Sequence, residues 1–256
     1  MEINTPREAA SLALSLLDLT NLREDCDASA IEALCRRAAT PYGSAAAVCI
    51  WPRFVRQARG ILGEGSTIRI ATVVNFPSGN LPVAAVSAET RQAIEDGANE
   101  IDLVIPYKAF LAGDEAAVTN MVTEVRRACN GTCLKVIIES GELRDSTHIR
   151  RASQLAIDAG ADFIKTSTGK VAVNATLEAA DIMLRAIRES KRTVGFKPAG
   201  GISTVADADL YLRLAETIMG PDWIIPSTFR FGASSLLDDI IAVLSGQPSQ
   251  RAATGY

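Results

Sequence analysis

Four charged side chains stand where an apolar strand would exclude them. Asp102 interrupts Glu100-Ile-Asp-Leu-Val-Ile-Pro106, and Lys135 interrupts Cys133-Leu-Lys-Val-Ile-Ile138. Lys165 interrupts Asp162-Phe-Ile-Lys-Thr-Ser167, and Lys197 interrupts Val194-Gly-Phe-Lys-Pro198. A buried charge without a partner is costly, so each of these needs a counter-charge or a chemical purpose. Lys165 and Lys197 come at the ends of their runs and lead straight into small-residue loops, Thr166-Ser-Thr-Gly-Lys170 and Pro198-Ala-Gly-Gly201. A free lysine titrates near ~10.4, so only about one amine in 10³ is neutral at pH 7. A second ammonium nearby and a dry pocket both disfavour the charged form, and a depression of roughly three units would make the neutral amine abundant. Such an amine adds to an aldehyde, and the protonated iminium that results is an electron sink for breaking a C–C bond. Lys135 lies early in its run, where neutralising Asp102 is an equally good reason for it.

These four residues fall on consecutive candidate strands in a regular series. Short aliphatic runs at 16–19, 46–50, 68–74, 101–105, 134–139, 163–166, 194–197 and 223–226 alternate with amphipathic helical stretches. The helices are predicted at 28–39, 53–60, 82–97, 115–130, 146–160, 177–191, 205–220 and 234–244, with an additional one at 6–15 ahead of the first strand. A parallel strand needs a crossover helix, so one strand–helix unit takes about 30 residues. Eight such units in 256 residues predict a single domain, residues 1–256, folded as a (β/α)8 TIM barrel with an extra N-terminal helix. The open-sheet alternative would want GxGxxG after the first strand, and none is there. The polar tail 246–256 is expected to be mobile. Catalytic residues of such barrels gather at the C-terminal ends of the strands, which is where Lys165 and Lys197 stand.

Other chemistries are poorly supplied. His148 is the only histidine, and it sits in a charged helical stretch as a solvated residue, which leaves neither a His-rich metal site nor a ready Ser-His-Asp triad. The five cysteines, Cys26, Cys35, Cys49, Cys129 and Cys133, are odd in number and contain no CxxC, as expected of reduced thiols in a cytoplasmic protein. With 26 basic against 30 acidic residues and a net charge of −4, the chain offers no broad basic surface for nucleic acid. No run is apolar for the roughly 18 residues of a membrane span, and Met1 to Thr5 does not open a secretory signal.

Phosphate would fit between two loops. Gly200-Gly201 follows the seventh strand. Arg230-Phe-Gly-Ala-Ser-Ser235, read as the loop after the eighth, opens into an apolar helix. Barrels of this kind commonly hold phosphate between those loops and a helix N-terminus, with glycine N–H groups and serine hydroxyls donating. Ser234 and Ser235 could instead be plain helix caps. Lys170 could add a positive charge.

With those residues in view, the chain resembles the deoxyribose-phosphate aldolase family of metal-free class I aldolases. The matching stretches run in order along essentially the whole chain. They are Leu17-Asp-Leu-Thr20, Val48-Cys-Ile-Trp-Pro-Arg53, Ala71-Thr-Val-Val-Asn-Phe-Pro77, Glu100-Ile-Asp-Leu-Val-Ile-Pro-Tyr107 and Leu134-Lys-Val-Ile-Ile-Glu-Ser-Gly-Glu142. The most specific are Phe163-Ile-Lys-Thr-Ser-Thr-Gly-Lys170, Val194-Gly-Phe-Lys-Pro-Ala-Gly-Gly201 and Phe231-Gly-Ala-Ser-Ser235. Departures are mild, with Trp51 where tyrosine is common and Ser140 where threonine is common.

The resemblance implies reversible cleavage of 2-deoxy-D-ribose 5-phosphate to acetaldehyde and D-glyceraldehyde 3-phosphate, with no cofactor and no metal. It implies Lys165 as the Schiff-base lysine, Lys197 as the second lysine, and Asp102 as acid/base working with Lys197 through a water. Asp18, Lys135, Cys49 and the terminal Tyr256 take supporting positions, although core packing would account for Cys49 as well. Thr168, Gly169, Lys170, Gly200, Gly201, Ser234 and Ser235 take substrate and phosphate contacts. Partners implied are small sugar phosphates and aldehydes, with a homodimer as the expected assembly. From the residues alone, a sugar-phosphate isomerase or a catalytically silent phosphate-binding barrel remains open.

Overall fold

A computed structural model describes residues 5–249. Its barrel strands are β1 Leu17–Asn21, β2 Ala47–Ile50, β3 Arg69–Val74 and β4 Glu100–Val104. They continue with β5 Cys133–Ile137, β6 Phe163–Lys165, β7 Gly195–Lys197 and β8 Phe231–Ala233. Strands β1 to β7 pair in chain order, all parallel, and β8 pairs with β1. Parallel bridges Phe196–Phe229 and Ala199–Gly232 close the seam between β7 and β8. The architecture is a (β/α)8 barrel, as the strand–helix alternation predicts.

The helices are α1 Pro6–Ser15, α2 Ala28–Arg37, α3 Val55–Leu62, α4 Val83–Glu95, α5 Tyr107–Leu111 and α6 Glu115–Cys129. Then come α7 Ser140–Leu143, α8 Ser146–Asp158, α9 Leu177–Ser190, α10 Val205–Met219 and α11 Leu236–Leu244. Their starts are written locally. Thr5 and Thr204 close capping boxes with Glu8 and Asp207, while Asp27, Asp114, Asp145 and Thr176 accept from first-turn N–H groups. The extra helix α1 lies against α10 and α11 through Ala9, Ala10, Ala13 and Leu14.

Strand alternation sorts the apolar residues into two clusters. Leu17, Leu19, Val48, Ile50, Ile101, Leu103 and Ile164 join the helix faces in the large core around the barrel. Ala47, Cys49, Ala71 and Val73, on the opposite faces of β2 and β3, form a small cluster with Leu22 inside it. The β2–β3 side of the barrel interior is thus lined by small apolar groups, and the charges stand on the other strands.

One predicted strand is wrong, and it changes how the last loop is understood. Residues 223–226 are not the eighth strand; Pro221–Trp223 is a single 3-10 turn, and the strand is Phe231–Ala233. Prolines at 221 and 226 frame that apolar run and withhold ladder N–H groups. Phe-Gly-Ala is short and glycine-centred, which hides it from propensity. Arg230 therefore sits just before β8, and Ser234-Ser235 leave its C-terminal end. Helices α5 and α7 and a two-residue hairpin, Ala39–Thr40 with Gly43–Ser44, are additional to the predicted elements. Within the predicted tail, Gln247 N–H returns to the Ala242 carbonyl and the Ser249 hydroxyl to Asp239; residues 250–256, Tyr256 among them, lie outside those described.

Candidate active site

Side chains two apart on a strand share a face. Glu100 and Asp102 on β4 therefore both point into the barrel, where they meet Asp18 from β1, Lys135 from β5, Lys165 from β6 and Lys197 from β7. Lys165 Nζ donates to Asp102 Oδ2 at 2.8 Å, and Lys197 Nζ donates to the same oxygen at 2.8 Å. Lys197 also donates to Asp18 Oδ2 at 2.5 Å. Lys135 Nζ donates to Asp102 Oδ1 at 3.0 Å and to Glu100 Oε2 at 2.5 Å. Of the four residues that interrupt the predicted strands, the three lysines thus converge on the carboxylate of the fourth.

Electrostatics separate the two strand-end lysines. Burial, the largest single influence on Asp102, works to raise its carboxyl, but Lys135, Lys165 and Lys197 outweigh it and hold the group well below the usual carboxylate range. Asp18 behaves alike: burial opposes ionisation, and Lys197, Arg230 and Lys135 overcome it. Burial works to lower Lys197, yet Asp102 and Asp18 hold its ammonium above the ordinary lysine value. Lys135 is raised in the same way by Asp102 and Glu100 against burial. Lys197 therefore stays charged beside Lys165, with two carboxylates where Lys165 has one.

Access separates them further. A cavity of about 660 Å³ opens at the C-terminal ends of the strands, a size suited to a small ligand. Lys165 forms part of its wall; Lys197, Lys135 and Asp102 lie beneath and have no exposed surface. The same cavity is also lined by Gly169, Lys170, Gly200, Gly201, Ser234 and Ser235. Gly200 and Gly201 take φ of +82° and +83°, a left-handed conformation that side-chain-bearing residues rarely adopt. Ser235 stands at the N-cap of α11 but makes no side-chain capping bond, so the cap alternative does not account for its hydroxyl. The helix start it precedes is a natural anion site. Lys170 Nζ donates to the Leu22 carbonyl at 2.7 Å, tying the β6 loop to the β1 loop, and Thr168 Oγ1 accepts from Lys170 N at 3.0 Å.

A family model described as DeoC/LacD family aldolase matches residues 12–239. The chain belongs to this aldolase family. A deoxyribose-phosphate aldolase from Agrobacterium fabrum (strain C58 / ATCC 33970) is 68% identical over 257 residues, covering 100% of this chain and 99% of the relative. A crystal structure from Toxoplasma gondii ME49, assigned as a deoxyribose-phosphate aldolase, matches with a TM-score of 0.87 at 27% identity, covering 95% of this chain and 96% of that one. A further solved structure, the aldolase QR15, gives a TM-score of 0.76 at 26% identity over 90% of this chain and 96% of its own.

In this aldolase, Asp102, Lys135, Lys165 and Lys197, read from the strands, and Asp18, implied by the resemblance, lie in one cluster, which has two further members that are not among the predicted site residues. Glu100 accepts from Lys135 and, through both its oxygens, from Arg230 at 2.8 and 3.1 Å. Arg230 also donates to Asp18 Oδ1 at 2.6 Å. The i, i+2 relation to Asp102 was the signal for Glu100, whereas the misplaced eighth strand put Arg230 in a loop at the phosphate end, the opposite end of the barrel from where it lies. Arg37 and Asp238 also line the cavity, paired with each other at its rim. Cys49 is fully buried in the interior apolar cluster, and burial pushes its thiol up. His148 stands half-exposed on α8, away from this site.

Proposed function

We propose that this aldolase reversibly splits 2-deoxy-D-ribose 5-phosphate into acetaldehyde and D-glyceraldehyde 3-phosphate through a Schiff base on Lys165, in the cytoplasm. The observation that carries it is that Lys165 alone among the three inward strand lysines reaches the cavity, whose wall the glycine–serine cluster shares. A phosphorylated sugar held at Gly200–Gly201 and Ser234–Ser235 presents its aldehyde carbon to that amine. The likeness of the whole chain to the A. fabrum deoxyribose-phosphate aldolase supports the same substrate.

The neutral Lys165 amine adds to C1, and loss of water leaves an iminium. Asp102, with Lys197 at its shoulder, accepts the C3 hydroxyl proton by way of a water. The new C3–O electron pair becomes the product carbonyl, and the C2–C3 bonding pair moves toward the iminium nitrogen as an enamine. Glyceraldehyde 3-phosphate departs, C2 takes up a proton, and hydrolysis releases acetaldehyde and restores the amine. Lys197, fixed as an ammonium by two carboxylates, disfavours a second positive charge on Lys165 and stabilises the developing alkoxide.

Coupled detection of both products tests this directly. Purified protein should release acetaldehyde and glyceraldehyde 3-phosphate in equal amounts. Binding of the sugar phosphate with no aldehyde released would favour the silent barrel, and conversion of ribose 5-phosphate, which carries the C2 hydroxyl that 2-deoxyribose lacks, to a ketose phosphate would favour the isomerase.

A further inference from the structure

Followed pair by pair, the buried contacts return to their start. Glu100 accepts from Lys135, and Lys135 donates onward to Asp102. Asp102 accepts from Lys197, and Lys197 donates onward to Asp18. Asp18 accepts from Arg230, and Arg230 donates back to Glu100. The result is a closed ring in which three carboxylates and three cations alternate inside the barrel. By hydrogen bonds every carboxylate in it lies between two cations and every cation between two carboxylates, and Lys135 also stands 3.7 Å from Asp18 across the ring. Lys165 hangs outside the ring; among the described residues its ammonium bonds only to Asp102 Oδ2, an oxygen that already accepts from Lys197.

We propose that Glu100 and Arg230, which lie outside the cavity wall, are positioning residues that close this charge-neutral ring and thereby make Lys165 the one cation the cluster does not need. With the ring complete, a neutral Lys165 leaves the seven-residue cluster uncharged and a protonated one leaves it a net positive charge in a dry interior. The one carboxylate oxygen that Lys165 meets is already shared with Lys197, so the ring has no carboxylate to spare for it. Other charged or titratable groups face Lys165 as well. The Glu139 carboxyl after β5 and the Cys49 thiol of β2 feel its charge, and Arg23, Arg37, Lys170 and Asp238 share its cavity. All of these remain unchanged when the ring alone is altered.

This inference rests on Lys165 acting as the amine nucleophile, and its test uses the acid limb of kcat/KM against pH, which reports the free enzyme. Removing a ring cation and removing a ring anion must move that limb in opposite directions. Arg230→Gln leaves the cluster short of positive charge, so Lys165 keeps its proton and the limb moves to higher pH. Glu100→Gln does the reverse and moves it to lower pH, each shift being on the order of one unit, or tenfold in neutral amine at a pH below the limb. Arg230→Lys keeps the charge, and the limb should stay where it is. Circular dichroism screens each variant for folding, and the isosteric Glu100→Gln decides the question alone should Arg230→Gln not fold. Limbs that stay put, or shift the same way in both variants, overturn the ring. Failure of borohydride to fix any adduct on Lys165 in the unaltered protein overturns the Schiff-base function itself, and the ring's role with it.

Discussion

Lys165 and Lys197 aim their ammonium nitrogens at a single oxygen, Asp102 Oδ2, each from 2.8 Å. One oxygen cannot neutralise two cations well, and the tie is broken by Asp18, which serves Lys197 and not Lys165. The division of labour follows: the lysine with two carboxylates keeps its proton and stays buried, and the lysine with one faces the cavity.

Replacing Lys197 should therefore damage chemistry more than binding. Lys197→Met is expected to lower kcat by about 10²–10⁴-fold with KM for the phosphorylated sugar little altered, since Lys197 is absent from the cavity wall. Steady-state kinetics check this. A rise in KM with kcat unchanged would show that Lys197 serves binding instead.

The phosphate end should show the opposite pattern. Ser235→Ala removes a hydroxyl that makes no capping bond, so helix α11 should tolerate it. The loss of a hydrogen bond to a charged group, about 1.5–3 kcal/mol, is expected to raise KM for deoxyribose 5-phosphate by roughly ten-fold or more. KM for unphosphorylated deoxyribose should not move. Parallel kinetics on the two sugars test the difference.

Space for Lys197 is provided by a glycine. A Cβ on Gly232 would lie 2.8 Å from Ala199 Cβ and 3.1 Å from Lys197 Cε, inside the closing seam of the barrel. Gly232→Ala is expected to cost about 1–3 kcal/mol of stability through overpacking and to lower kcat together with it. Denaturant unfolding and kcat on the same preparation measure both.

Stability should respond to pH at both extremes. Asp18 and Asp102 are held below their ordinary value of 3.8, so the folded chain resists protons that the unfolded chain accepts. Their contribution is full above about pH 4 and is lost as pH falls toward the folded values. Lys135 and Lys197 are held above their ordinary 10.5, so their contribution is full below that pH and is lost as pH rises through the folded values. Urea midpoints should be flat between roughly pH 4 and 10 as far as these four groups go, and should fall on either side. A midpoint insensitive to acid would contradict the ionised cluster.

Much of this site was legible because chemistry had to violate the strand pattern. Lys165 and Lys197 stand out because an aliphatic strand end has no use for an ammonium, and Asp102 because it interrupts an otherwise aliphatic run. Glu100 was passed over because it begins its strand, where a charge looks solvated, yet the barrel interior reaches that far. Arg230 was misplaced along with β8, whose pairing is supplied by β1 and the bridges to β7 rather than by its own three residues. Gly200-Gly201 points to a phosphate site only together with the Ser234-Ser235 loop; that Ser235 makes no capping bond is visible only in the backbone geometry. The rim pair of Arg37 and Asp238 joins α2 to α11 across the chain, a distance no local pattern spans.

The most direct test of the account is where a reduced substrate adduct lands. Borohydride added during turnover of deoxyribose 5-phosphate, followed by peptide mass spectrometry, should find a two-carbon adduct on Lys165 and none on Lys135 or Lys197. An adduct on Lys197, or inactivation without any lysine adduct, would contradict the assignment of the cavity-facing amine as the nucleophile.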